Sequence, residues 1–186
     1  RIKQVFFLIL RYSDADGISS KQLSDLIWPD KPKDKVKNSR GVAINHLRKI
    51  LKELDGIELV YEKGCFRFTL SSVFYCDYLR FMAIVAENRV ENCRQEFLHI
   101  VGRGKFVGFM DDPLFDGFKQ DVECRLEVLV LQLMKEAFEA QDYSEAVSLA
   151  EAEFNIDPVN ETALSCCIKS LFMLKHENAA IGTYQR

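Results

Sequence analysis

The 186-residue chain has few residues that break regular structure: 9 glycines and 4 prolines. That scarcity argues against disorder and against an all-β fold, which needs many turns. Long apolar runs are also missing. The stretch at residues 5–10 falls far short of the ~20 residues a membrane-spanning helix requires, and the chain opens with no signal-peptide pattern. No membrane contact is expected, and the cytoplasm is the default compartment. The six cysteines, Cys65, Cys76, Cys93, Cys124, Cys166 and Cys167, show no Cys-x-x-Cys spacing, so a zinc site is not expected. Set mostly inside apolar periodic segments, they read as small buried hydrophobes of a reducing compartment. No Ser/His/Asp, Cys/His or paired-carboxylate constellation emerges, which leaves an enzymatic reading without residues and calls for no cofactor. Residues 102–108 (GRGKFVG) lack the Gly-Lys-Ser/Thr of a phosphate loop and read as a turn. Asp111, Asp112 and Asp116 lack calcium-loop spacing and read as a solvated loop.

What the chain does have is a split charge. The formal net charge of −3 hides two halves. Residues 1–70 carry 14 Lys and Arg against 9 Asp and Glu, a net +5, whereas residues 71–186 carry 11 against 19, a net −8. This asymmetry suits a polyanion-binding domain joined to an acidic, partner-binding one. With 48% hydrophobic residues, two small domains are expected.

The basic half carries the most informative segment. Residues 39–51 read as an amphipathic helix. Ala43, Ile44, Leu47, Ile50, Leu51 and Leu54 fall on one side, while Asn38, Val42, Asn45, Lys49 and Lys52 fall on the other and His46 and Arg48 flank them. A helical pattern over Ile2, Val5, Phe6, Leu8 and Ile9 comes first, followed by a loop at residues 12–17. A second helix then begins at Ser19 or Ser20 as N-cap and ends at the Trp28-Pro29 step. Residues 31–37 read as a basic loop. Beyond the third helix, residues 57–61 and 66–70 read as strands around a tight turn at Lys63-Gly64. Trp28 and the aromatic-rich residues 106–118 read as packing residues. Of the three histidines, His46 alone lies beside the exposed face, and His99 and His176 read as structural.

From Cys76 onward the pattern is helical, with a long run over residues 118–140. Tyr143, Ala146 and Ala150 are followed thirty-four positions later by Glu177, Ala180 and Tyr184. This interval matches the tetratricopeptide period. Small residues at Ala146, Ala150 and Ala180 would let paired helices approach closely.

These segments resemble a known pairing of domains. Residues 23–29 (LSDLIWP), 44–51 (INHLRKIL) and 57–68 (IELVYEKGCFRF) are similar to the effector domain of OmpR-type winged-helix regulators. Residues 76–81 (CDYLRF), 157–164 (DPVNETAL) and 179–186 (AAIGTYQR) are similar to the bacterial transcriptional activation domain. The order is that of antibiotic-regulatory-protein-like transcriptional activators. The resemblance implies a DNA-binding transcription factor whose helical second domain serves oligomerisation, regulation or contact with the transcription machinery. Two departures bear on specificity. Asn45 and His46 stand where relatives often carry arginine, so no base preference is carried over. Glu62-Lys63-Gly64-Cys65 replaces the usual Arg-Gly-x-Gly of the wing, so a minor-groove arginine contact is not carried over either.

The expected fold is mainly α. A winged helix-turn-helix over residues 1–71, N-terminally truncated, is joined by a linker at 72–76 to a C-terminally truncated, tetratricopeptide-like domain over 77–186. Double-stranded DNA is the expected partner, contacted by Lys37, Asn38, Val42, Asn45, His46, Arg48, Lys49, Lys52 and Lys63. Asn45 would pair with adenine and Val42 would meet a thymine methyl, while Lys37, Arg48 and Lys49 would neutralise phosphates. RNA polymerase or a second copy would meet the helical domain. The plainer reading, in which the cations merely solvate a surface helix, gives no account of the hairpin that follows. A competing reading makes the chain a protein-interaction adaptor, with winged helix and helical repeats both binding proteins.

Overall fold

In the computed structural model the first helix, α1 (Ile2–Arg11), turns Val5, Leu8 and Ile9 inward at the spacing of one helical face. The structure describes residues 1–13, 16–87, 93–108 and 110–185. Asp14 and Ala15 of the 12–17 loop, Phe109 of the aromatic stretch and the terminal Arg186 lie outside them. Two compact units make up the chain, Arg1–Cys76 and Asp77–Arg186. The architecture is mainly helical, with one small antiparallel sheet.

In the first unit, strand β1 (Ile18–Ser19) leads directly into α2 (Ser20–Ile27). A capping box starts this helix: Ser19 Oγ accepts from the Gln22 amide at 3.1 Å, and Gln22 Oε1 accepts from the Ser19 amide at 3.2 Å. It stops before Trp28-Pro29, with the indole buried. Helix α3 (Lys33–Leu51) follows, then β2 (Ile57–Glu62) and β3 (Cys65–Leu70). Lys63 and Gly64 join the last two strands with φ of +49° and +84°, the two left-handed residues of a type I′ hairpin turn. The strand order is β1-β3-β2, with Tyr61 opposite Phe66 and Ile18 opposite Phe66 on its other side. Leu23 and Ile27 of α2, Ile44 and Leu47 of α3, and Leu59, Phe66 and Phe68 of the sheet are buried.

Two expectations for this unit need correction, and one element is new. Residues 33–37 are not a basic loop but the first turn and a half of α3. Pro32 supplies a preset φ just before the first helical residue, and Asp34 places an anion at the positive end of the helix dipole. Ile50 and Leu54, expected on the core side, are 42% and 49% exposed, because Ala43, Ile44, Leu47 and Leu51 fill the narrower stripe that faces the core. Strand β1 was not anticipated. It is held against β3 through Gly17, whose φ is +87° and whose missing Cβ would lie 2.5 Å from the Phe66 carbonyl oxygen, so only glycine fits.

The second unit contains α4 (Asp77–Glu87), α5 (Arg94–Val101), a 3-10 turn at Pro113–Phe115, α6 (Asp116–Glu139), α7 (Tyr143–Ile156), α8 (Glu161–Met173) and α9 (Glu177–Tyr184). Consecutive helices from α6 to α9 pack on one another, α5 packs on α7, and α6 on α8. Ala146, Ala150, Ala163 and Ala180 are buried where these helices meet. Asp142 caps α7 through the Glu145 amide, and Asn160 caps α8 through the Ala163 amide, each at 3.0 Å. Tyr78, Phe106 and Phe118 form an aromatic trio with centroids 5.1–5.3 Å apart. The cysteines depart from expectation. Only Cys167 is buried, Cys124 is exposed and the other four are half-buried. Cys124 lies two residues after the buried Val122 of α6, which turns it to the far side of the helix. Among the described residues, no helix is long and apolar enough to cross a membrane.

Candidate nucleic-acid interface

Helix α3 is fixed from its inner side. Its buried Ala43, Ile44, Leu47 and Leu51 meet the core, and Arg40, on the same side, reaches α2. There the Arg40 guanidinium donates to the Ser20 carbonyl at 2.8 Å and to Ser24 Oγ at 2.7 Å. The Ser24 hydroxyl, nearly inaccessible, itself donates to Ser20 O at 2.8 Å. Charge-assisted bonds of this kind resist rotation of α3 about its own axis and so decide which side chains face outward.

The outward side chains are Asn38, Val42, Asn45, Lys49 and Lys52, spaced alternately by four and three residues, and all are exposed. Val42 is 61% exposed, high for an aliphatic residue in a helix interior. Lys37 and Arg48 flank the stripe on one side and Lys35 and His46 on the other, also exposed. Asp34 is the sole acidic residue of α3, against six lysines and arginines. Among the described residues, none of Lys33, Lys35, Lys37, Arg48, Lys49, Lys52 and Lys63 forms an ion pair. Their charges are therefore available to an anion from outside the molecule.

The hairpin lies beside this helix, since β2 packs on α3, and the Ser20 amide at the head of α2 donates to the Gly64 carbonyl in its turn at 3.0 Å. Lys63, at the tip, is exposed. The other cation of the hairpin is already occupied: Arg67 holds Glu62 at 2.6 Å. The hydrogen bond and charge of Arg67 keep the Glu62 carboxyl below the ordinary carboxylate range. The Tyr61 and Phe66 rings meet behind the tip, tilted by 40° with centroids 4.6 Å apart.

No protein-family model and no curated protein matches the chain. The surface chemistry must therefore carry the functional argument. Carboxamides offer a donor and an acceptor side by side, an isopropyl group offers apolar contact, and the flanking cations can neutralise phosphates.

All nine residues expected at the interface are exposed, eight of them on or just beyond α3 and Lys63 on the hairpin. Lys33 and Lys35 were missed because their segment read as a loop. Arg40 was missed because its role depends on Ser20 and Ser24 of α2, which only the fold brings beside it. The histidines are less distinct than expected, since His99 and His176 are also exposed. His99 Nε2 lies 3.1 Å from the Arg103 guanidinium, which also binds Asp77 at 2.6 Å. Among the described residues, no group of three or more His, Cys, Asp or Glu could hold a metal ion. Asp112 instead caps the 3-10 turn through the Leu114 amide at 3.1 Å.

Proposed function

We propose that the chain is a DNA-binding transcriptional regulator, an activator, with a winged helix-turn-helix first unit and a tetratricopeptide-like second unit. Helices α2 and α3 are the helix-turn-helix, α3 lies in the major groove, and the β2–β3 hairpin is a wing whose Lys63 meets the backbone or the minor groove. One observation carries this reading: the outward stripe of α3 joins two carboxamides and a bare valine to cations that form no ion pair among the described residues. A merely solvated helix needs neither the exposed valine nor the excess of one sign. The acidic charge of the second unit would repel DNA, so that unit is assigned protein contacts, with RNA polymerase or a second copy. Support for its repeat character is the interval between the starts of α7 at Tyr143 and α9 at Glu177, 34 residues.

Exposed Ile50 and Leu54 at the C-terminal end of α3 favour a second reading, in which this face binds a protein and the chain is an adaptor. Binding of the chain to duplex DNA, measured by fluorescence anisotropy, separates the two. Replacing Arg48 or Lys49 by alanine is expected to weaken duplex binding by a similar factor on every sequence tried. Undiminished binding in both variants would remove α3 from the interface.

A further inference from the structure

The outward stripe of α3 is uneven along its length. Asn38, Val42 and Asn45 lie within roughly 60° of one another on a helical wheel, and all three are exposed. Lys49 and Lys52 extend the stripe only toward the C-terminal end, the end that helix-turn-helix proteins point away from base edges. A carboxamide matches the paired donor and acceptor of adenine at N6 and N7, and an isopropyl group matches the thymine C5-methyl. Guanine instead calls for an arginine or lysine, and cytosine for a carboxylate. Neither type occurs on the stripe between residues 38 and 45, and the carboxylate of Asp34 lies one turn earlier.

Gly41 is a separate observation. It lies inside α3, is exposed, and a Cβ built on it would meet nothing within 4 Å. Glycine inside a helix is destabilising, and no packing among the described residues requires it here. Its bare backbone allows close approach by something outside the chain, on the side where Asn38, Val42 and Asn45 emerge.

Resting on the DNA-binding reading above, we infer that α3 selects A·T base pairs: Asn38 and Asn45 each take an adenine, Val42 packs on a thymine methyl between them, and Gly41 admits the groove wall. Seven residues of helix separate the two asparagines, ~10.5 Å, or about three base steps.

The test is selection of bound duplexes from a random library by the whole chain, followed by competition at one fixed salt concentration. The expected sites carry A·T pairs at two positions about three steps apart. Changing either to G·C is expected to weaken binding about tenfold or more. Asn38→Ala and Asn45→Ala should each abolish the preference at one position and leave the salt dependence in place. Asn45→Asp should turn its position toward C·G. Gly41→Ala should raise the melting temperature and yet weaken binding. Salt-dependent binding without A·T preference, a preference unchanged in both alanine variants, or undiminished binding by Gly41→Ala would overturn the inference and leave the DNA-binding reading standing. Failure to bind any duplex at low salt would overturn both.

Discussion

A buried carboxyl in the second unit makes its stability depend on pH in an unusual direction. Glu153 of α7 has no solvent exposure. Its Oε1 accepts from Asn160 Nδ2 at 3.1 Å, and its Oε2 has no hydrogen-bond partner among the described residues. The same amide nitrogen lies 3.5 Å from Glu127 Oε1 on α6, while Asn160 Oδ1 caps α8. One asparagine thus ties three helices together across two carboxyls. Burial, and then repulsion from Glu127 and Asp157, push the Glu153 carboxyl up to about 7, against a partial lowering by the Asn160 hydrogen bond. Between the ordinary value of 4.5 and about 7, the folded protein therefore holds a proton that the unfolded chain has released. Stability from this group is complete below pH ~4.5 and is lost as pH rises through ~7, a change of about 3 kcal/mol at 1.36 kcal/mol per unit. Glu153→Gln keeps the shape and removes the titration. Urea denaturation followed by far-UV circular dichroism, at pH values from 4.5 to 8, should show wild-type stability falling relative to the variant by a few kcal/mol. A wild-type-minus-variant difference that is flat, or that rises with pH, would refute the assignment of a proton to this site.

Two further outcomes follow from the first unit. Arg40→Ala should destabilise it by about 1.5–3 kcal/mol, because both charge-assisted bonds to α2 are lost and the Ser24 hydroxyl loses its donor. The fluorescence of the buried Trp28, the chain's single tryptophan, reports this loss directly, and an unchanged midpoint would mean that Arg40 holds nothing in place. Arg48→Ala and Lys49→Ala, by contrast, should leave that midpoint within about 0.5 kcal/mol of wild type, since both side chains are exposed.

Much of this architecture is visible in the pattern of residues. The period of Ala43, Ile44, Leu47 and Leu51 marks the buried face of α3, and Lys63-Gly64 between β-prone runs marks the hairpin. A serine N-cap at 19 or 20 marks the start of α2, and the structure settles it on Ser19. What escaped depends on tertiary partners. Residues 33–37 hold one apolar side chain, Val36, too little periodicity to distinguish helix from loop. Strand β1 is two residues long and exists only because Gly17 lets it lie against β3. Ile50, Leu54 and five of the six cysteines read as core because they fall within or beside apolar periodic segments, but burial follows the angular width of the stripe that meets the core. Of the candidate interface, the cations and asparagines could be read from the sequence. The clamp through Arg40 that orients them could not.

The salt dependence of duplex binding decides whether the cations of α3 and the hairpin meet DNA phosphates. Lys37, Arg48, Lys49, Lys52 and Lys63 are exposed and without ion pairs among the described residues. If all five displace condensed counterions, the plot of log K against log salt concentration should have a slope of about −4.5, a loss of roughly 500-fold between 50 and 200 mM salt. A steep negative slope in this range is the result predicted. A slope near zero, or no binding at 50 mM salt, would mean that the first unit does not bind DNA through these cations.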